Sequence, residues 1–242
     1  MKPELDACLA AREHAFIAHL EAIEALAPEL ARIGPDRPPA PRWNQDWFPR
    51  LDAAAAYTMV RRHLPGKIVE VGSGHSTRFL ARAVADGSLG TRITAIDPAP
   101  RARLDGLAID LRRLRVQEVG EAPFAALAAG DILFIDSSHV LRPGSDVEHL
   151  LERVLPGIPP GMLLHFHDIF LPNDYPADWA WRRYSEQPAV AALVASGEYI
   201  PEFASAWLVA NRPRRLAEGL LGRLPLVAGA RESSFWLRKT GK

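Results

Sequence analysis

The segment KIVEVGSGHST, residues 67–77, constrains this chain more than any other. An apolar run carrying one acid, Glu70, stops at a turn with two glycines, Gly72 and Gly74, and continues into Ser76 and Thr77, where a helix is expected to open. Strand, glycine turn and helix in that order begin a nucleotide-binding α/β unit, because glycine permits backbone angles and close ligand approach that a Cβ forbids. The next strand-like run, RITAID, ends at Asp97. A carboxylate at the end of the second strand can accept hydrogen bonds from both hydroxyls of a ribose.

Two departures narrow the choice of adenosine-bearing ligand. The dinucleotide fingerprint has a third glycine where this chain has Thr77, which argues against NAD. Glu70, two positions before the first glycine, would repel a pyrophosphate and suits a ligand with an ammonium group. S-adenosylmethionine is such a ligand, with Glu70, Gly72, Gly74, Ser76, Thr77 and Asp97 as the expected cofactor-facing residues. Taken by itself the motif also fits a plain tight turn.

With 29 basic and 29 acidic residues the formal net charge is zero. No global field draws the chain to nucleic acid or to an anionic membrane, and a small neutral acceptor is the simpler partner. The local excess of Arg212, Arg214, Arg215, Arg223, Arg231, Arg238 and Lys239 reads as solvated surface. One cysteine, Cys8, excludes an internal disulfide framework. The N-terminus lacks the layout of a signal peptide, and no apolar run approaches the roughly 20 residues of a membrane span, so the cytoplasm is the expected compartment.

Residues 1–43 read as a helical extension with a proline-rich connector. Leu9, Phe16, Leu20, Ile23, Leu26 and Leu30 recur at helical spacing, and GPDRPPAPRW then stops the helix. The extension could cap the site, pack on the sheet or make a dimer contact, and a homodimer is the expected assembly. Residues 44–242 alternate helix and strand. Helices are predicted near 53–63, after Ser76 and over 145–154; strands are predicted at 68–71, 93–96, 116–119, 132–136, 162–168, 204–211 and 233–239. Several of these are near-continuous apolar runs, the pattern of parallel strands covered on both faces. The expected fold is a doubly wound, Rossmann-like α/β sheet. Residues 171–199, rich in aromatics and proline, follow the C-terminal end of a central strand, where Tyr175, Trp179, Trp181 and Tyr184 could wall an acceptor as a lid.

FIDSSH and HFHDIF place Asp136, His139, His167 and Asp168 at the ends of two neighbouring strands. Four buried titratable groups need one another, a ligand or a metal. Two mechanisms fit. His139 or His167 could take the proton of an acceptor hydroxyl as the sulfonium methyl is attacked in line. Alternatively Asp136, His167 and Asp168 could hold a divalent cation, Mg²⁺ on oxygen ligands or Mn²⁺, Fe²⁺ or Zn²⁺ where a histidine joins them. His165 reads as a packed core histidine.

These ordered segments resemble the class I S-adenosylmethionine-dependent methyltransferases, in particular the group with FID-x-x-H followed by a strand ending in HD. EVGSGHST resembles the first cofactor motif, ITAID the second, and SSFWLRK the antiparallel last strand. The resemblance spans about Asn44 to Lys239. It implies a seven-stranded, mostly parallel sheet, Glu118 and Val119 near the adenine, and acids at the positions of Asp136 and Asp168 of the kind that metal-dependent O-methyltransferases use; His167 stands where those enzymes often have an acid. Asp146 recurs in the pattern as a structural residue on a helix. The implied reaction is O-methylation of a small-molecule hydroxyl, on a sugar or a specialised metabolite. A metal-dependent hydrolase or oxygenase, or a non-catalytic binding module, remains open on the same fold.

Overall fold

The computed structural model describes residues 3–34 and 37–241. Its opening helices α1 (Pro3–Ala11), α2 (Glu13–Ala25) and α3 (Ala27–Leu30) carry the apolar stripe, and the alternation starts with α4 (Arg50–His63), β1 (Lys67–Val71), α5 (His75–Asp86) and β2 (Arg92–Ile96). There follow β3 (Asp110–Arg112), α6 (Ala122–Ala125), β4 (Ile132–Ile135), α7 (Asp146–His149) and β5 (Leu163–Phe166). The chain closes with α8 (Gln187–Ala195), β6 (Tyr199–Ala204), α9 (Ser205–Asn211), α10 (Pro213–Leu216), α11 (Gly219–Arg223) and β7 (Phe235–Lys239).

The seven strands form one sheet in the order β3-β2-β1-β4-β5-β7-β6. β1 to β5 pair in parallel, and β7 runs antiparallel between β5 and β6. β4 and β5 are buried along their whole length, which is why both read as unbroken apolar runs. From β1 the chain goes to β2 on one side and later to β4 on the other. The strand order therefore reverses at β1 and β4, and a crevice opens beyond their C-terminal ends.

Two predicted strands differ. Residues 116–119 form a 3₁₀ turn (Val116–Glu118), and the third strand is the short β3 upstream. β3 is an edge strand of DLR with no buried residue, so its apolar signal is weak, whereas the two valines of VQEV suggest a strand. Residues 205–211 form α9; the strand is β6, just before it. Pro201 masks β6 in the sequence and is tolerated because β6 lies at the sheet edge, with a register shift between Pro201 and Phe203. The helix predicted over 145–154 is one α-helical turn, α7, that widens into a π-helical turn over Leu150–Val154.

The N-terminal helices pack on the far edge of the sheet and share its core. Phe16 meets Phe203 and Trp207 edge-on at 6.3 and 5.7 Å, and Trp207 Nε1 donates to Asp6 at 3.0 Å. Among the described residues none before Asp46 lines the cleft, and no helix is long and apolar enough to cross a membrane.

Candidate functional site

A cleft of ≈ 1220 Å³ opens at the strand-order reversal. One wall is the glycine turn. Gly72 has φ +83, and a Cβ there would stand 1.8 Å from the carbonyl oxygen of Asp136, so this glycine is required by the approach of the β4 end rather than by a ligand. Gly74 differs: its φ of 169 is extended backbone, and its nearest neighbour, the Ala102 Cβ, is 3.9 Å from a built Cβ. Space in front of Gly74 is left for something else.

Asp97 lines the cleft and braces the turn, its carboxylate accepting from Ser73 N at 2.7 Å, Ser73 Oγ at 3.1 Å and Ala99 N at 2.8 Å. Ser76 lines it too and donates from Oγ to Glu70 Oε1 at 2.6 Å. Glu70 lies fully buried behind Ser76, its Oε2 without a partner, and burial pushes its carboxyl up to about 8. Thr77 is buried and accepts from Gly74 N at 2.9 Å, holding the turn rather than facing the cleft. Glu118 and Val119 do not line the cleft. Arg115, Val116 and Gln117 do, because the 3₁₀ turn folds the Glu118 carboxylate back to accept from Arg115 N at 2.9 Å.

The other wall holds the cluster. Asp136 follows β4, while His167 and Asp168 follow β5; all three and His139 line the cleft. His139 Nε2 lies 3.4 Å from Asp136 and 3.6 Å from Asp168; His167 Nδ1 lies 3.3 Å from Asp136 and 3.5 Å from Asp168. The remote nitrogens are also taken. His139 Nδ1 donates to Glu186 at 3.0 Å, and His167 Nε2 donates to Asp52 at 3.1 Å. Burial alone would lower both imidazoles, but the acids outweigh it and hold them well above the ordinary value, with Asp136, Glu186 and Asp168 around His139 and Asp136, Asp168 and Asp52 around His167. Burial alone would raise the Asp136 carboxyl; His167 and His139 hold it well below the usual carboxylate range. His139 and Asp168 have φ of 59 and 55, a left-handed conformation uncommon outside glycine that concentrates at functional sites.

His165 is the core residue expected. Its ring stacks on Phe134 at 3.7 Å, bonds the Ser234 hydroxyl at 2.8 Å, and is held well below its ordinary pKa by burial. Asp146 accepts from Ser138 N at 2.8 Å and so fixes the loop after β4. From 171–199, the cleft receives Trp179, Trp181, Arg182, Arg183 and Tyr184, whereas Tyr175 packs behind them on Phe170 and Tyr184. Sequence reasoning missed Asp52, Glu186 and Arg182. Asp52 had a signal, being a lone acid in the run LDAAAAYTMV that every neighbouring position buries.

Among the described residues, no three or more His, Cys, Asp or Glu side chains have the arrangement of a metal-holding group. The acids and imidazoles close on one another instead.

Residues 69–169 match the family model of the methyltransferase domain. A comparison with curated proteins finds no match. Among solved structures the chain is similar to the Podospora anserina methyltransferase PaMTH1 bound to S-adenosylhomocysteine, at 14% identity and a TM-score of 0.49, over 93% of this chain and 88% of that one. It is also similar to an O-methyltransferase from Bacillus cereus in complex with S-adenosylhomocysteine, at 16% identity and a TM-score of 0.49, over 92% and 90%. A third is the O-methyltransferase TomG from Streptomyces achromogenes in complex with S-adenosylmethionine, at 15% and 0.48, over 92% and 90%. At such identities and scores these likenesses assign no activity. The family match covers the glycine turn, Asp97 and the four-residue cluster alike, so that the stretch holding both walls of the cleft matches a methyltransferase domain.

Proposed function

We propose that the protein transfers the sulfonium methyl of S-adenosylmethionine to a hydroxyl of a small-molecule acceptor. The observation that carries this reading is the direct packing of the two walls: the Gly72 turn lies against the Asp136 backbone, so one cleft joins the cofactor edge to the acid and imidazole cluster. A methyl donor seated over Gly74 and Asp97 would present its reactive carbon toward His139, Asp136 and Asp168. The acceptor oxygen attacks that carbon in line, the C–O bond forms as the C–S bond breaks, and the sulfur keeps the electron pair. His139 Nε2 is the best-placed group to receive the hydroxyl proton, with Glu186 fixing the ring through Nδ1. The ring can do so once it has lost the proton that its acidic neighbours stabilise.

A divalent cation on Asp136, His167 and Asp168 is the second reading; it requires the acids and imidazoles that close on one another here to part around the ion, and one observation favours it. Each imidazole carries a carboxylate on its remote nitrogen, an arrangement that orients histidine ligands, and one doubly charged ion replaces two imidazole protons with no change in the charge of the cluster. Such an ion would lower the pKa of the acceptor hydroxyl.

Thermal stability with S-adenosylhomocysteine, S-adenosylmethionine and NAD tests the cofactor. A rise with the sulfur nucleotides alone, abolished in Asp97→Ala, is expected; no rise with either would sink the reading. Turnover kept in EDTA favours a histidine base over the metal, and its loss in His139→Gln then assigns the proton to His139. Turnover lost in EDTA and restored by Mg²⁺, Mn²⁺, Fe²⁺ or Zn²⁺ assigns the second reading.

A further inference from the structure

The wall over the cluster is built around an arginine. The guanidinium carbon of Arg182 stands 4.1 Å from the ring centroid of Trp179, 5.2 Å from that of Trp181 and 5.5 Å from that of Tyr184. Its Nη1 donates to the Tyr184 hydroxyl at 2.9 Å and lies 3.9 Å from Asp168. Its Nε is buried with no hydrogen-bond partner. An unsatisfied buried donor is unfavourable, and the three rings hold the cation in place despite that cost. Aromatic faces that could have stacked on an acceptor are therefore occupied by a positive charge.

The neighbouring residues extend the pattern. Arg183 has φ 56, an uncommon conformation for a non-glycine residue, and it lines the cleft. Arg142 lines it from the loop after β4. Neither side chain has an ion pair or hydrogen bond among the described residues. The acids nearby are engaged: Asp136 and Asp168 face the two imidazoles, Asp146 holds Ser138, and Asp178 accepts from Arg231 at 2.9 Å. Arg182 thus stands beside Asp168 at the reacting cluster, and Arg142 and Arg183 line the same cleft with exposed, unpaired side chains.

We propose that the acceptor carries, beside its hydroxyl, an anionic oxygen group bound by Arg182, with Arg142 and Arg183 at the rim. The inference rests on the methyl-transfer reading and deepens it, replacing the neutral acceptor expected from a net charge of zero. A planar, fixed guanidinium suits carboxylate and phosphate oxygens alike.

The test is calorimetric titration of the protein loaded with S-adenosylhomocysteine. Hydroxybenzoate is compared with phenol, and glycerol phosphate with glycerol, so that the two arms separate carboxylate from phosphate. At least one anion is expected to bind about tenfold tighter than its neutral twin. Arg182→Met should abolish that preference and leave the affinity for S-adenosylhomocysteine unchanged. Should Arg182→Met fail to fold, Arg142→Gln with Arg183→Gln, at the exposed rim, must reduce the preference instead. Neutral twins that bind as well, a preference that survives the substitutions, or no binding of any probe at millimolar concentration would overturn the proposal. Failure of S-adenosylhomocysteine itself to bind the unaltered protein would strike the underlying methyl-transfer reading, a separate result.

Discussion

The Nδ1–H of His139 donates to Glu186 Oε2 at 3.0 Å, and both side chains are buried. Glu186 comes from the segment that walls the cleft, and its backbone N–H and that of Ser185 donate to the carbonyl of His139 at 3.2 and 2.8 Å. Wall and imidazole are thereby held as one unit. Glu186→Ala leaves a buried imidazole without its counter-charge and is expected to cost about 3 kcal/mol in urea unfolding. Glu186→Gln keeps a hydrogen-bond acceptor and should cost less, while the His139 pKa falls toward its ordinary value in EDTA-treated protein, read by NMR titration of the ring. An unchanged His139 titration in Glu186→Gln would remove Glu186 from its positioning role.

Asp52 stands in the matching place behind His167 but is tied more deeply into the fold. It accepts from the N–H of Ser233 at 2.9 Å and of Ser234 at 2.9 Å as well as from His167, and so joins α4 to the start of β7. Asp52→Asn loses one acceptor oxygen and should destabilise by about 2 kcal/mol, since a buried N–H is left unpaired. Equal stability of Asp52→Asn and the unaltered protein in a denaturant titration would contradict this.

What could be read from the sequence follows from burial. β1, β4 and β5 are flanked on both faces and announce themselves as apolar runs, and the residues just past their ends, Gly72, Asp136, His167 and Asp168, were placed with them. β3 and β6 are edge strands, one charged and one carrying Pro201, so their signals are weak and were displaced onto neighbouring residues. The partners behind the imidazoles lie far off in the chain. Asp52 is 115 residues from His167 and Glu186 is 47 from His139, and no local spacing links them.

Gly72 and Gly74 should separate fold from ligand. Gly72→Ala drives a Cβ to within 1.8 Å of the Asp136 carbonyl at a positive φ, and a loss of at least about 2 kcal/mol is expected from strain and overlap. Gly74→Ala meets no atom nearer than 3.9 Å. Its melting temperature should match that of the unaltered protein, while its affinity for S-adenosylhomocysteine drops because the methyl enters the space kept for the ligand. A Gly74→Ala protein with undiminished affinity would move the cofactor away from the glycine turn.

Glu70 is expected to make cofactor binding depend on pH. Burial pushes its carboxyl from 4.5 up to about 8. A carboxyl raised in the folded state favours folding fully below its unfolded value of 4.5, and that contribution is lost as pH rises through about 8, above which the fold must hold a buried carboxylate. A ligand ammonium beside Ser76 attracts the carboxylate form and draws the pKa down. Binding of S-adenosylhomocysteine near neutral pH should therefore release protons, and affinity should climb between about pH 6 and 8 before it levels off. Calorimetry in two buffers of different ionisation enthalpy measures the release directly. In Glu70→Gln the release should vanish and the pH dependence flatten; the same proton release from that variant would mean that the titrating group lies elsewhere in the cleft.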